Sequence, residues 1–235
     1  MEEIVSINQS VRVENERSPI LPLSSSPHTP LHSSFSLTIS PSQELIAGID
    51  EVGRGCLFGP VVAAAVILPN AVTTELAAAG VKDSKKLTSI GRKRFAEQIK
   101  AVALDYQIGW VSPREIDRMN IFQASLLAMK KAVFKLKMQP TLCLVDGKWP
   151  IPDLPVPQQS IVKGDEKLVA IAAASILAKV WRDELIIRLA AKYPEYGLEA
   201  NKGYGTAKHI LALENYGPTR WHRLSFRPCQ KGNRD

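Results

Sequence analysis

Four carboxylates stand where apolar runs end beside glycine: Asp50 and Glu51 after Glu44-Leu-Ile-Ala-Gly-Ile, Asp146 after Thr141-Leu-Cys-Leu-Val, and Asp165 after Ser160-Ile-Val-Lys-Gly. An α/β sheet displays its catalytic side chains at such strand ends. Acids that converge there without a basic partner repel one another, and a divalent cation relieves that repulsion. Mg²⁺ and Mn²⁺ prefer hard oxygen donors of this kind. Two such ions roughly 4 Å apart can activate a water and stabilise the leaving oxygen in phosphodiester cleavage. Strand-end acids are also common where no site exists, so position alone leaves a structural role open for each. Adjacency adds a difficulty, because successive residues of a regular strand face opposite sides of the sheet. Asp50 and Glu51 reach one site only if the chain bends there or one of them contributes a backbone oxygen.

Directly after the first two acids come Gly53, Gly55 and Gly59, spaced G-x-G-x-x-x-G. A dinucleotide-binding turn requires a helix to begin there. Pro60 and a β-rich run follow instead, which excludes that reading. Glycines flanking Arg54 leave two alternatives, a plain tight turn or a loop whose backbone approaches a sugar-phosphate while the guanidinium meets a phosphate.

The elements that must position these residues follow from pattern. Glu44–Asp50 reads as a strand, and Val61–Leu68 as a second, buried one bounded by Pro60 and Pro69. Their short connection suggests an antiparallel pair. Ser89 is expected to cap a helix from about Gly91 to Leu104, with Phe95, Ile99 and Val102 on one face. Strands are expected at Tyr106–Val111, Thr141–Asp146 and Ser160–Lys163, with one or two helices between Pro113 and Leu136. Lys167–Ala191 is rich in strong helix formers. Thr206–Tyr216 reads as a last helix before an irregular basic tail. The sum is an α/β domain on a mixed five-stranded sheet flanked by helices, with a small C-terminal helical region.

Composition bounds the partners. The chain has 235 residues and a net charge of +7, rising to +9 over residues 44–235 because residues 1–43 are acidic. That surplus favours polyanions, nucleic acid first among them, although a basic surface also serves solubility. The longest apolar run, Val61–Pro69, is far short of the roughly 20 residues a membrane-spanning helix needs. Cys56, Cys143 and Cys229 are odd in number and widely spaced, which argues against a disulfide framework or a zinc site. Residues 1–43 read as a disordered Ser/Pro-rich extension. A transit peptide and an upstream extension of the reading frame are the alternatives. Residues 44–235 read as the catalytic domain, and the expected location is the cytoplasm.

Taken in order, eight blocks resemble ribonuclease HII, the bacterial type 2 ribonuclease H. They are Ala47-Gly-Ile-Asp-Glu-Val-Gly-Arg-Gly55, Gly59-Pro-Val-Val-Ala-Ala-Ala-Val66, Asp83-Ser-Lys-Lys-Leu87, Val145-Asp-Gly147, Lys163-Gly-Asp165, Ile171-Ala-Ala-Ala-Ser-Ile-Leu-Ala-Lys179, Lys202-Gly-Tyr-Gly-Thr206 and His222-Arg-Leu-Ser-Phe226. The resemblance covers about Leu45 to Pro228. It implies a ribonuclease H-like fold and a metal-dependent endoribonuclease that hydrolyses RNA in RNA–DNA hybrids. It also implies nicking 5′ of ribonucleotides embedded in duplex DNA, leaving 3′-hydroxyl and 5′-phosphate ends. Asp50, Glu51, Asp146 and Asp165 match the family's acids, whose metal is Mn²⁺ or Mg²⁺. Gly53, Arg54 and Gly55 match its junction-reading loop and Tyr204 its partner tyrosine. Lys85, Lys86, Lys179, Lys202 and Arg223 are expected phosphate contacts, while Ser175 and Ser225 are either structural or phosphate-binding. A monomer is expected. Cys56, Phe58 and Trp181 depart from residues frequent in the family at their positions. A non-catalytic hybrid-binding protein and a related DNA endonuclease or polynucleotidyl transferase are the rival readings.

Overall fold

The computed structural model describes residues 44–81 and 87–230. The expected N-terminal extension, and the segment carrying Lys85 and Lys86, lie outside the described residues.

Among the described residues, β1 (Ile46–Val52), β2 (Val61–Ile67), β3 (Asp105–Val111), β4 (Leu142–Asp146) and β5 (Gln158–Ile161) form one sheet in the order β3-β2-β1-β4-β5. The β1–β2 and β2–β3 pairs are antiparallel, whereas β1–β4 and β4–β5 are parallel. The helices, in chain order, are α1 (Asn70–Ala78), α2 (Ser89–Val102), α3 (Pro113–Met119), α4 (Ile121–Phe134), the single turn α5 (Gly164–Lys167), and α6 (Val169–Ala190). They are followed by the short α7 (Leu198–Asn201), α8 (Ala207–Tyr216) and the short α9 (Arg227–Gln230).

The sequence Val61-Val-Ala-Ala-Ala-Val-Ile67 is apolar throughout because β2 is covered on both faces. Val61, Ala63, Ala65 and Ile67 join a core with Ala124, Ala128, Met129 and Ala132 of α4. The alternate residues Val62, Ala64 and Val66 join a second core with Ala172, Ala173, Ile176 and Val180 of α6. This alternation is the two-residue period of a strand, with helices in place of water on each side. Helix α6 lies so close to β1 that a Cβ on Gly48 would stand 2.1 Å from the carbonyl carbon of Ala170.

Several sequence boundaries are corrected. Strand β1 continues through both carboxylates to Val52, so Asp50 and Glu51 lie inside it, opposite Ala64 and Ala63. Helix α2 is capped by Thr88, whose hydroxyl accepts from the Gly91 amide at 3.1 Å, and not by Ser89. The Pro113–Leu136 stretch is two helices. Ser112 and Glu115 close a capping box on α3, and Asn120, at φ 74°, caps α4. The fifth strand begins at Gln158, two residues before the expected start. The expected long helix is interrupted at Leu168, which is extended and separates α5 from α6. The C-terminal tail is not wholly irregular, since Arg227–Gln230 is helical.

Replacing Gly48 by alanine forces β1 and α6 apart. The expected loss is about 3 kcal/mol of unfolding free energy, read as a lower urea midpoint at unchanged slope. An unchanged midpoint would contradict the packing described.

Candidate active site

Parallel pairing of β1 with β4 brings the acids together. The register sets Ile49 against Val145, so Asp50 and Asp146 follow on adjacent strands, which lie roughly 4.8 Å apart. Asp146 also reaches toward α5, where its Oδ1 accepts from the Gly164 amide at 2.7 Å. A Cβ on Gly164 would stand 3.3 Å from that oxygen and 2.5 Å from the Ile171 side chain. Glycine there therefore lets the turn bearing Asp165 close onto Asp146. Asp50 and Asp165 are both buried, each 5% exposed.

The adjacency of Asp50 and Glu51 is resolved by the side chain of Asp50 curling back along its own strand. Its Oδ1 accepts from the Glu51 amide at 2.7 Å, and the Ser175 side chain on α6 hydrogen-bonds the same carboxyl group. Burial, with Glu51 and Asp146 adding to it, pushes the Asp50 carboxyl well above the usual carboxylate range. Burial also raises Glu51, Arg54 offsets part of that rise, and Asp146 adds to it. Glu51 and Asp50 thus both feel the charge of Asp146, the signature of acids sharing one space.

Next to the acids lies the loop Gly53–Pro60, whose carbonyls are turned inward onto two fully buried arginines. Arg182 of α6 donates to the carbonyls of Phe58 (2.8 Å), Pro60 (3.0 Å) and Lys202 (2.9 Å). Arg223 donates to those of Gly53 (2.7 Å), Arg54 (2.7 Å) and Gly59 (3.0 Å). Gly53 has φ +88°, and a Cβ on it would fall 2.2 Å from Arg182 Nε, so both the turn and the arginine demand glycine. Arg54 and Gly55 occupy the exposed outer face. The loop is tied on its other side to the segment carrying Tyr204. The amides of Leu57 and Phe58 donate to the Gly203 carbonyl, and Cys56 and Tyr204 form an antiparallel bridge. Tyr204 remains 42% exposed, with Lys179 Nζ 5.8 Å from its ring centre.

The expected phosphate contacts divide. Arg223 is corrected: it is buried and spends its guanidinium on the loop, which makes it a positioning residue and leaves it no reach to a phosphate. Lys179 pairs with Asp183 at 2.8 Å, one turn along α6. Lys202 turns its ammonium back to the Glu199 carbonyl. Arg54 pairs with Glu51 at 3.1 Å, so its phosphate-binding role requires that pair to open. Ser225 donates to Asp117 at 2.6 Å, which also accepts from the Leu224 and Ser225 amides. Arg182 was not singled out by sequence reasoning. Arg182 stands beside Asp183 and Glu184 in the sequence, which reads as a solvated charged stretch and gave no signal of burial.

Among the described residues, no group of three Asp, Glu, His or Cys side chains closes into a metal-ligand set. The donor chemistry nevertheless suits a hard divalent cation. Asp50, Glu51 and Asp146 offer only oxygen, the charge of Asp146 makes ionising Asp50 and Glu51 costlier, and among the described residues Arg54 ion-pairs with Glu51.

A mixed β3-β2-β1-β4-β5 sheet with carboxylates on its two adjacent central parallel strands and on the following turn defines a ribonuclease H-like hydrolase. A family model described as Ribonuclease HII matches residues 47–229. Ribonuclease HII of Trichormus variabilis is 61% identical over 186 residues, which are 79% of this chain and 83% of that one. The solved ribonuclease H2 of Pyrococcus horikoshii superposes with a TM-score of 0.71 at 28% identity, covering 79% of this chain and 95% of that one. A Bst-RNase HIII structure, described as a complex with Mn²⁺, shares the fold at TM-score 0.65 and 23% identity, over 80% of this chain and 69% of that one. The chain belongs to the ribonuclease HII family and is an endoribonuclease of the ribonuclease H class.

A carboxyl group whose folded pKa is raised costs folding free energy above that pKa, and the cost fades as pH falls through it toward the unfolded value near 3.8. Asp50→Asn keeps the acceptor and removes the charge. In the presence of chelator at pH 7.5 it is therefore expected to melt about 2–4 °C above the wild type, with the gap narrowing by pH 5. A variant that melts lower at pH 7.5 would contradict the strained carboxylate.

Proposed function

We propose that this enzyme nicks duplex DNA on the 5′ side of an embedded ribonucleotide as well as cutting the RNA strand of hybrids, leaving 3′-hydroxyl and 5′-phosphate ends. The observation that carries this reading is the joining of the Gly53–Gly55 loop to the Tyr204 segment directly beside Glu51. The 2′-hydroxyl is what distinguishes a ribonucleotide's sugar. A glycine loop with no Cβ at Gly53 or Gly55 lets backbone groups approach it closely. Tyr204, exposed and bridged to the same loop, would stack on the neighbouring deoxyribose. One rigid unit would then read an RNA-to-DNA step two residues along the chain from Glu51.

Asp50, Glu51 and Asp146, with Asp165 completing the set, would hold Mn²⁺ or Mg²⁺. When bound, such ions supply an activated water and stabilisation of the leaving oxygen. The protein's own part is to bring the carboxylates together and to keep the loop from shifting. Arg54, released from Glu51, is positioned to meet a phosphate, and exposed lysines contribute to the field that holds the duplex. The substrates are RNA–DNA hybrid and ribonucleotide-containing duplex, and the activity fits initiation of ribonucleotide removal from DNA. We retain the reading of a monomeric, cytoplasmic enzyme, with residues 1–43 as an extension outside the catalytic domain 44–235. No helix among the described residues is long and apolar enough to cross a membrane.

The test is duplex DNA carrying one ribonucleotide, incubated with Mn²⁺, Mg²⁺ or chelator. A single metal-dependent nick 5′ of that residue, with a 3′ end that a polymerase extends, is expected. Asp50→Asn should lower the rate by about 10³-fold, the equivalent of several kcal/mol of lost charge stabilisation, while retaining binding. Equal cutting of an all-DNA duplex would favour the DNA-endonuclease reading, and binding without any cut would favour a non-catalytic hybrid binder. Affinity should also fall steeply with salt as phosphate contacts release counterions; a flat titration would contradict the electrostatic grip.

A further inference from the structure

Behind Tyr204 lies a buried pair of histidines that the acid site does not use. His209 of α8 and His222 are 0% and 1% exposed, and their Nε2 atoms are 3.0 Å apart. His209 Nδ1 is 2.9 Å from the carbonyl oxygen of Tyr204. On the other side, the Thr219 amide donates to His222 Nδ1 at 2.9 Å. These partners leave no freedom in where the protons sit. A carbonyl only accepts, so His209 carries its proton on Nδ1 and its Nε2 is bare. An amide only donates, so His222 Nδ1 is bare and its proton is on Nε2. The single proton between the rings is therefore donated by His222 to His209. The bonds run in one direction, from Thr219 through both neutral rings to the Tyr204 carbonyl.

The rings are enclosed by aromatic neighbours that keep this order dry. Phe58 of the glycine loop lies 4.9 Å from His222, edge to face, and Tyr196 lies 4.7 Å from it. Phe58 and His222 are also bridged through their backbones. Burial lowers the pKa of both imidazoles, that of His222 to about 3, which agrees with two neutral rings. The histidine chain grips Tyr204 by its backbone alone, while its ring is 42% exposed. The same carbonyl accepts from the Thr206 amide at 2.9 Å and the phenol hydrogen-bonds the Cys56 side chain, so the histidine chain is one of three restraints on the direction in which the ring projects.

We propose that His209 and His222 are positioning residues for substrate selection: by fixing the Tyr204 carbonyl through an ordered imidazole chain, they aim the tyrosine ring at the sugar next to a ribonucleotide. This rests on the reading of Tyr204 as the partner of the glycine loop at an RNA-to-DNA step. The chain links the turn at Thr219–His222, helix α8 and the Tyr204 segment, so a change at His209 reaches the ring without touching an acid of the site.

The test compares kcat/KM on a single-ribonucleotide duplex with kcat/KM on a long RNA–DNA hybrid. His209→Leu removes the chain, and the ratio of the two values is expected to fall about tenfold, the effect of one lost buried hydrogen bond. A merely structural role would lower both values in step and leave the ratio unmoved. His209→Asn, whose side-chain amide can occupy the Nδ1 position and still donate to the carbonyl, should restore most of the ratio. In a Tyr204→Ala background, His209→Leu should change the ratio no further. If Tyr204→Ala lowers the ratio and His209→Leu lowers it again by the same factor, the inference fails and the tyrosine reading survives. If Tyr204→Ala leaves the ratio at the wild-type value, both fail. Should His209→Leu not fold, ¹⁵N spectra of the wild-type imidazoles at neutral pH decide the matter. Protons on His209 Nδ1 and His222 Nε2 are expected, and the opposite tautomers or a charged ring would overturn the proposal.

Discussion

Two positive charges are buried side by side under the loop that follows the acid pair, and backbone carbonyls are what hold them there. Arg182 and Arg223 take six carbonyls between them, from Gly53, Arg54, Phe58, Gly59, Pro60 and Lys202. Hydrogen bonds to a charged group each contribute about 1.5–3 kcal/mol, and a buried charge stripped of them is strongly destabilising. Burial and the neighbouring Arg182 lower the Arg223 pKa to about 9, which leaves it charged at neutral pH. The loop therefore cannot open without stranding a guanidinium. Its rigidity is a consequence of charge solvation by the chain itself, and the inward carbonyls leave the outer face to Arg54 and Gly55.

The acids are built on the opposite principle. Asp50 and Glu51 are crowded and raised in pKa by burial and by Asp146, Asp50 by Glu51 as well, and hydrogen bonds from the Glu51 amide and Ser175 only partly offset the cost at Asp50. Such a cluster is a strained element on a stable scaffold, and strain of this kind belongs to functional sites. The scaffold resists because β1 and β2, central in the sheet, are sealed by α4 and α6 on its two faces. Close approach at Gly48 fixes α6, which in turn carries Ser175 to Asp50 and Arg182 to the loop. One helix thereby sets both the acid pair and the glycine loop.

Much of this was legible in the chain. The unbroken apolar run Val61–Leu68 could only be a strand covered on both faces, and of the four acids expected at strand ends Asp146 ends β4, whereas Asp50 and Glu51 lie inside β1 and Asp165 in the one-turn helix α5. The one-turn helix around Asp165 and helix α1 were not readable. The first hangs on Gly164 closing against Asp146, a long-range contact, and the second buries only Leu76 and has no side-chain cap. The start of β5 was hidden by Gln158, a polar residue whose side chain exchanges two hydrogen bonds with the Ile151 backbone. Arg223 was misread for a physical reason: an arginine in a basic tail resembles a phosphate ligand. Its true partners are carbonyls far away in sequence that no local pattern announces. The same holds for Arg182 and for the histidines behind Tyr204.

The central claim is that a rigid loop and a fixed tyrosine read a ribose followed by a deoxyribose next to a carboxylate cluster. The most direct measurement maps cleavage at nucleotide resolution on a duplex whose one strand carries four consecutive ribonucleotides within DNA. The account predicts a dominant cut 5′ of the last ribonucleotide, where loop and tyrosine are satisfied together. Cuts spread evenly among the four ribonucleotides would contradict it.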